Sequence, residues 1–103
     1  MVSINDASSE LVRLGARLRA ARIARDEPMQ LFAERIGISV PTLRAMERGA
    51  ETVQIGYWAK ALWALDRLTD LTGVLAPSAS LLERARTEAA QPMVRQRARR
   101  RPS

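Results

Sequence analysis

The sequence predicts an all-α fold: a compact five-helix bundle that contains a helix-turn-helix, followed by a C-terminal helix and a basic, disordered tail. Three observations lead to this prediction. Apolar residues recur at the spacing of amphipathic helices, glycines and capping residues divide the chain into short segments, and no apolar-polar alternation is long enough for a strand. The 103 residues have room for one domain.

The first helix is expected to follow a short N-terminal arm, residues 1–8. Ser8 or Ser9 can cap its start, because a serine hydroxyl accepts hydrogen bonds from first-turn amides. The helix should continue to the Asp-Glu-Pro break at residues 26–28. Its apolar residues at helical spacing are Leu11, Leu14, Leu18 and Ala21.

The second helix is expected to be short, with Pro28 in its first turn and Gly37 as a left-handed C-cap. Its apolar residues are Met29, Phe32, Ala33 and Ile36. Ser39 can then cap a third helix over Val40–Arg48, which Gly49 closes. Two short helices joined by such a glycine-containing turn are the sequence form of a helix-turn-helix.

The fourth helix is expected over residues 55–65, as the centre of the core. Its predicted apolar stripe is Ile55, Trp58, Ala59, Leu62 and Leu65. Leu68 and Leu71 continue the apolar spacing into a fifth short helix, which should stop around Gly73 and Pro77.

These elements give four predicted regions. The arm is followed by a helix-turn-helix domain over residues 9–76. Residues 77–91 should form the C-terminal helix, because Ser80 and Glu83 have the spacing of a capping box. Residues 92–103 lack an apolar period and are expected to be disordered.

Most of the net charge of +6 belongs to this tail. Residues 1–91 hold twelve basic and eleven acidic side chains, which leaves +1. The remaining five charges are Arg95, Arg97, Arg99, Arg100 and Arg101. The tail is interpreted as a minor-groove or phosphate arm, as a general nucleic-acid binder that includes RNA, or as a solvated segment without function. If it binds DNA backbone, its removal should lower affinity for all sequences alike and flatten the salt dependence.

The composition also excludes classes of function. The chain has neither cysteine nor histidine, which removes thiol nucleophiles, the usual zinc ligands and the commonest general base. We therefore expect no enzymatic activity, no cofactor and no metal. A stretch of about 18 apolar residues and a signal peptide are both absent from the sequence, so we expect a cytoplasmic protein with no membrane contact.

The third helix carries the candidate DNA contacts. At the helical period, Leu43 and Met46 point inward, and the outward sector contains Val40, Pro41, Arg44 and Arg48. Arg44 can donate two hydrogen bonds to a guanine edge in the major groove, and Arg48 suits a phosphate. The alternative is a solvated helix surface with two arginines.

The remaining outward side chains are less specific. Val40 and Pro41 fit a thymine methyl group but equally an apolar protein surface. Ser39 and Thr42 can supply hydroxyl contacts to DNA. Separately, Arg22 and Glu47 flank the apolar stripes of the first and third helices, so they are expected either to form a structural ion pair or to be solvated.

Three segments resemble the Xre, or Cro/C1-type, helix-turn-helix regulators: residues 17–22, 32–39 and 42–49, which read RLRAAR, FAERIGIS and TLRAMERG. The resemblance covers residues 11–71 and implies a five-helix bundle. The family uses the third helix for DNA.

By this resemblance, the bases are contacted by Ser39, Val40, Pro41 and Arg44. It also implies the pairing of Arg22 with Glu47. The family usually has a glutamine at the start of helix two that touches phosphate. Here Met29 takes that position, so the adjacent Gln30 is the candidate for a backbone contact, together with Thr42 and Arg48.

Residues 53–71, with the segment AKALWAL at 59–65, resemble the subset of this family encoded beside HipA-type kinase toxins, the HipB-like antitoxins. That likeness implies a homodimer that binds a double-stranded DNA operator and represses its own operon. It also implies a partner, a HipA-like kinase toxin, which the antitoxin restrains and which acts as co-repressor.

Two interpretations stay open. Trp63 is either a core residue or, with Leu68 and Leu71, part of a dimer interface. The alternative function is a protein-interaction module on the helix-turn-helix scaffold, which binds a toxin or another protein without specific DNA readout. Its exposed apolar patch would consist of Met29, Leu31, Val40 and Pro41.

Overall fold

The computed structural model describes residues 3–77 and 86. The chain divides into two units, Met1–Thr72 and Gly73–Ser103. The first unit contains five helices, and the described residues include no strand, so the predicted all-α class is confirmed. The helices are α1 (Ile4–Ala24), α2 (Met29–Ile36), α3 (Val40–Arg48), α4 (Ile55–Ala64) and α5 (Leu68–Thr72).

Helix α1 begins earlier than predicted. It starts at Ile4 with Ser3 as its N-cap, inside the predicted arm, so the expectation that Ser8 or Ser9 caps it is wrong. The reason is the carboxylate of Asp6, which accepts a hydrogen bond from the backbone N–H of Ser3 at 2.6 Å. That carboxylate also places negative charge in the first turn, where the helix dipole favours it.

Helices α2 and α3 have the ends that their capping residues predict. Gly37 ends α2 with φ of 76°, and Gly49 ends α3 with φ of 79°, both in the left-handed region that favours glycine. At the start of α3, the hydroxyl of Ser39 accepts a hydrogen bond from the backbone N–H of Thr42 at 3.2 Å. The turn between the two helices is therefore fixed from both sides.

The core is built mainly from α2, α3 and α4. Its largest fully buried side chains are Phe32, Leu43 and Met46. Among the described residues, the buried apolar side chains are Leu18, Phe32, Ala33, Ile36, Leu43, Met46, Ala61, Ala64 and Leu65. Burial of these groups is the main source of stability, and it holds the inner side of α3 in place.

The apolar stripe predicted for α4 is wrong in rotation. Ile55 is 72% exposed, whereas Ala61 and Ala64 are buried together with Leu65. Leu65 is thus the one member of the predicted stripe that is buried, and the rest of the buried face consists of two alanines, whose small side chains allow close packing of helices. The predicted stripe residues Trp58, Ala59 and Leu62 are half-buried.

Two glycines bring α1 and α3 into backbone contact. A Cβ atom added to Gly15 would lie 2.5 Å from the carbonyl oxygen of Met46 and 2.6 Å from that of Glu47. A Cβ atom added to Gly49 would lie 2.5 Å from the Cα atom of Val12. The C-terminal end of α3 therefore rests on the backbone of α1, at a distance that side chains would prevent.

The second unit is described only over residues 73–77 and 86. Residues 73–75 form a turn, in which the backbone N–H of Ala76 donates to the carbonyl of Gly73 at 3.3 Å. Of the predicted C-terminal helix, residues 77–91, the structure describes only Pro77 and Arg86. The predicted tail, residues 92–103, lies outside the described residues.

None of the described helices combines the length and apolar character that a membrane crossing needs.

Candidate nucleic-acid interface

Helix α3 has an inner and an outer face. Leu43 and Met46 are fully buried, as the helical period predicts. Pro41, Arg44 and Arg48 are exposed on the opposite side. The fourth predicted member of the outward sector, Val40, is half-buried and packs against the core. The outer face of α3 therefore presents the ring of Pro41 and the side chains of Arg44 and Arg48, while the inner face is packed in the core.

The two arginines of this face form no ion pair with a described carboxylate. Among the described residues, ion pairs with carboxylates are formed by Arg13, Arg22, Arg25, Arg35 and Arg67. Arg44 and Arg48 are not among them. Because no described carboxylate neutralises these two guanidinium groups, their donors are available for an anion or a base edge.

The hydroxyl groups at the start of α3 already have partners. Ser39 Oγ accepts from the backbone N–H of Thr42 and lies 2.8 Å from Thr42 Oγ1, with which it shares a second hydrogen bond. Ser39 is exposed and Thr42 is half-buried. Both residues were predicted to contact DNA, and in this structure their hydroxyls serve the cap of the helix.

The apolar patch of the alternative function is interrupted. Met29 and Val40 are half-buried and pack against the core. Leu31 and Pro41 are the two members of the predicted patch that are exposed. Gln30, the predicted phosphate contact, is exposed in the first turn of α2.

The predicted ion pair between Arg22 and Glu47 is present and buried. The Nε of Arg22 donates to Oε2 of Glu47 at 2.7 Å, and its Nη2 donates to Oε1 at 3.1 Å. The side chains are 9% and 5% exposed. A third donor of Arg22, Nη1, reaches the backbone carbonyl of Glu27 at 2.9 Å. The hydrogen bonds that Arg22 donates to Glu47 raise the pKa of its guanidinium, although burial opposes the shift.

The pair fixes α3 against α1. Each of the two groups would be costly to bury alone, so the bidentate geometry admits one orientation of the two helices. Together with the contact between Gly15 and the end of α3, it holds one side of α3 against α1, and Arg44 and Arg48 remain exposed.

A second network, which the sequence did not predict, ties α2 to α4. The carboxylate of Glu27 accepts hydrogen bonds from Arg35 at 2.6 and 3.1 Å. Nη2 of Arg35 also donates to the backbone carbonyl of Ala64 at 2.9 Å. Glu27 and Arg35 are eight residues apart, and α2 begins between them. Their spacing is therefore not the three or four residues that would predict an ion pair on one helix.

The predicted dimer residues lie on α4 and α5. Trp63 is 59% exposed, so its interpretation as a core residue is wrong. Leu68 is also exposed, and Leu71 is half-buried. An exposed tryptophan is a large apolar surface in contact with water, which favours coverage by another molecule.

Three further points concern residues away from the outer face of α3. Gln54, the N-cap of α4, makes no hydrogen bond with its side chain. The described part of the chain holds no group of three or more acidic, histidine or cysteine side chains that could bind a metal ion. The five arginines of the predicted nucleic-acid arm, at positions 95, 97, 99, 100 and 101, lie outside the described residues.

Comparison with protein-family models, with curated proteins and with solved structures found no match to this chain.

Proposed function

We propose that the chain is a sequence-specific DNA-binding protein that represses transcription. The observation that carries the proposal is the outer face of α3, where Arg44 and Arg48 are exposed without carboxylate partners among the described residues. A helix of this kind, presented by a helix-turn-helix, fits the major groove of B-form DNA.

Each arginine has its own part in this proposal. Arg44 lies in the second turn of α3 and donates two hydrogen bonds to N7 and O6 of a guanine. Arg48, in the last turn, binds a phosphate and adds affinity and register without sequence information. Gln30 and Thr42 are further candidates for contacts to the DNA backbone.

The likeness to HipB-type antitoxins extends the proposal. We infer a cytoplasmic homodimer that represses its own operon and binds a HipA-like kinase toxin. The exposed Trp63 and Leu68, with Leu71, supply an apolar surface that supports a second copy as partner. A protein-interaction module that uses the surface around α3 is less well supported, because Met29 and Val40 pack against the core.

Fluorescence anisotropy tests the DNA-binding proposal directly. Wild type, Arg44→Ala and Arg19→Ala are titrated at matched salt against the DNA upstream of their own gene and against scrambled DNA. We expect wild type to prefer its own DNA, and Arg44→Ala to lose about 1 to 3 kcal/mol of that preference.

Arg19→Ala is the matched control, because Arg19 is an exposed arginine of α1 that has no ion pair among the described residues. It removes the same charge from another surface and should keep the preference. If wild type binds both DNAs equally, the proposed function is wrong.

A further inference from the structure

The tip of α3 has a single exposed apolar group, the ring of Pro41. Its neighbour Val40 is half-buried against the core, so little of that side chain is available to a ligand. Proline costs nothing in the first turn of a helix, where the amides lack helical acceptors. Its ring also loses almost no conformational entropy when it is covered.

The hydroxyl groups at this tip are partly used by the helix itself. The hydroxyls of Ser39 and Thr42 bond to each other and to the helix cap. Besides the one O–H that this pair leaves unused, the tip offers a base pair a rigid apolar ring at Pro41 and the guanidinium of Arg44, which forms no ion pair among the described residues. These residues are three apart in α3, which places their Cβ atoms about 5 to 6 Å apart on one face.

The major groove has few groups that match an apolar ring. Its edges are hydrogen-bond donors and acceptors, except for the methyl group at C5 of thymine. Cytosine acquires the same methyl group when it is methylated at C5. An unmethylated cytosine, or a uracil, has only a hydrogen at that position.

On the basis of the proposed function, we infer that Pro41 and Arg44 together read a 5-methylpyrimidine next to a guanine. Arg44 pairs with the guanine, and the Pro41 ring packs on the methyl group of the adjacent base. The rise of about 3.4 Å between base pairs is within the reach of two side chains with this spacing. Methylation of a cytosine in that position would then strengthen binding, as thymine does.

The test uses wild-type protein and modified DNA. In the upstream DNA that it prefers, each thymine adjacent to a guanine is replaced in turn by uracil, which removes one methyl group and leaves all hydrogen-bonding groups unchanged. We expect one replacement in each half-site to weaken binding by about fourfold, the contribution of one buried methyl group. With cytosine at the same position, methylation at C5 should strengthen binding by a similar factor, because cytosine and 5-methylcytosine differ only in the methyl group.

Two variants assign the effect to a residue. Pro41→Ser should abolish the difference between thymine and uracil. Leu31→Ser is the control, because Leu31 is an exposed apolar residue of the neighbouring helix α2, and it should keep the difference. Circular dichroism confirms that each variant is folded, and the wild-type comparison with uracil stands even if a variant is not.

The outcomes separate this inference from the proposed function. If wild type prefers its own DNA but binds every uracil duplex as tightly as the thymine duplex, methyl reading is wrong and the repressor proposal stands. If the difference persists in Pro41→Ser, Pro41 does not read the methyl group. If wild type prefers no DNA, the proposed function fails first.

Discussion

At the scale of single residues, the orientation of α3 depends on the buried pair of Arg22 and Glu47. A guanidinium that is 9% exposed loses most of its hydration, and only the bidentate bonds of Glu47 and the carbonyl of Glu27 replace it. Removal of one partner therefore lowers the free energy of unfolding by more than the intact pair adds to it, because the other charge stays buried without a counter-ion.

We expect Glu47→Gln to lower the free energy of unfolding by about 3 kcal/mol, because Arg22 stays charged and buried without a counter-ion. Urea denaturation followed by circular dichroism measures this change. Glu34→Gln is the matched control, since Glu34 is exposed and has no ion pair among the described residues, and it should change stability by less than about 0.5 kcal/mol. Equal effects of the two variants would contradict a structural role for the pair.

The same pair predicts how stability responds to pH. Because the pKa of Arg22 is raised, its contribution is fully present below the ordinary arginine pKa and is lost only as the pH rises through the higher folded-state pKa. That range is strongly alkaline. The stability lost in Glu47→Gln should therefore be the same at about pH 6 and about pH 9, and recovery of stability at the higher pH would contradict the prediction.

At the scale of elements, the contact between α1 and α3 depends on two glycines that leave no room for a Cβ atom. The atoms that a side chain at Gly15 would meet are backbone atoms of Met46, Glu47 and Gly49, between 2.5 and 2.7 Å away. Backbone atoms cannot move aside as a flexible side chain can. A methyl group there must push the C-terminal end of α3 away from α1.

We expect Gly15→Ala to destabilise the fold by about 1 to 3 kcal/mol, although alanine has the higher helix propensity. Gly56→Ala is a sharp control, because a Cβ atom added to Gly56 of α4 meets nothing within 4 Å. That substitution should stabilise the protein by about 0.5 to 1 kcal/mol. Urea midpoints of both variants check the prediction, which is wrong if the two changes have the same sign.

The ends of helices could be predicted from the sequence where the capping residues lie next to the end that they fix. The ends of α2 and α3 were predicted because Gly37, Ser39 and Gly49 act within one turn of their own positions. The start of α1 was missed because Ser3 with Asp6 is as good a cap as the serines that follow. The local sequence alone therefore does not decide which of these serines begins the helix.

Other features depend on partners far along the chain. The rotation of α4 was missed because an almost wholly apolar helix has no polar face to fix it. The need for glycine at position 15 depends on α3, which lies about thirty residues away and is not visible in local sequence. The exposure of Arg44 and Arg48 was predicted, because in a nine-residue helix with one buried face the residues on the opposite face must point outward.

At the scale of the whole molecule, charge is nearly balanced outside the tail, so the proposed binding to DNA would depend on local groups of charge. Residues 1–91 carry a net charge of +1, from twelve basic and eleven acidic side chains. Under the proposed function, one α3 helix with two arginines makes few contacts to DNA, and two copies at a spacing of about 34 Å would double them on a palindrome. Dimerisation would then convert a weak helix contact into operator binding.

We expect Trp63→Ala to weaken the dimer by thirtyfold or more, about 2 kcal/mol, because exposed aromatic residues of this size are typical interface anchors. Sedimentation equilibrium measures the change. Affinity for a palindromic site should fall with it, while affinity for an isolated half-site should not.

Ile55→Ala is the control for this prediction, since Ile55 is exposed at the other end of the same helix and should leave both quantities unchanged. A dimer of undiminished stability in Trp63→Ala would place the interface elsewhere. A wild type that stays monomeric at all concentrations would remove the dimer itself, and operator binding would then rest on α3 and the arginine tail of a single chain.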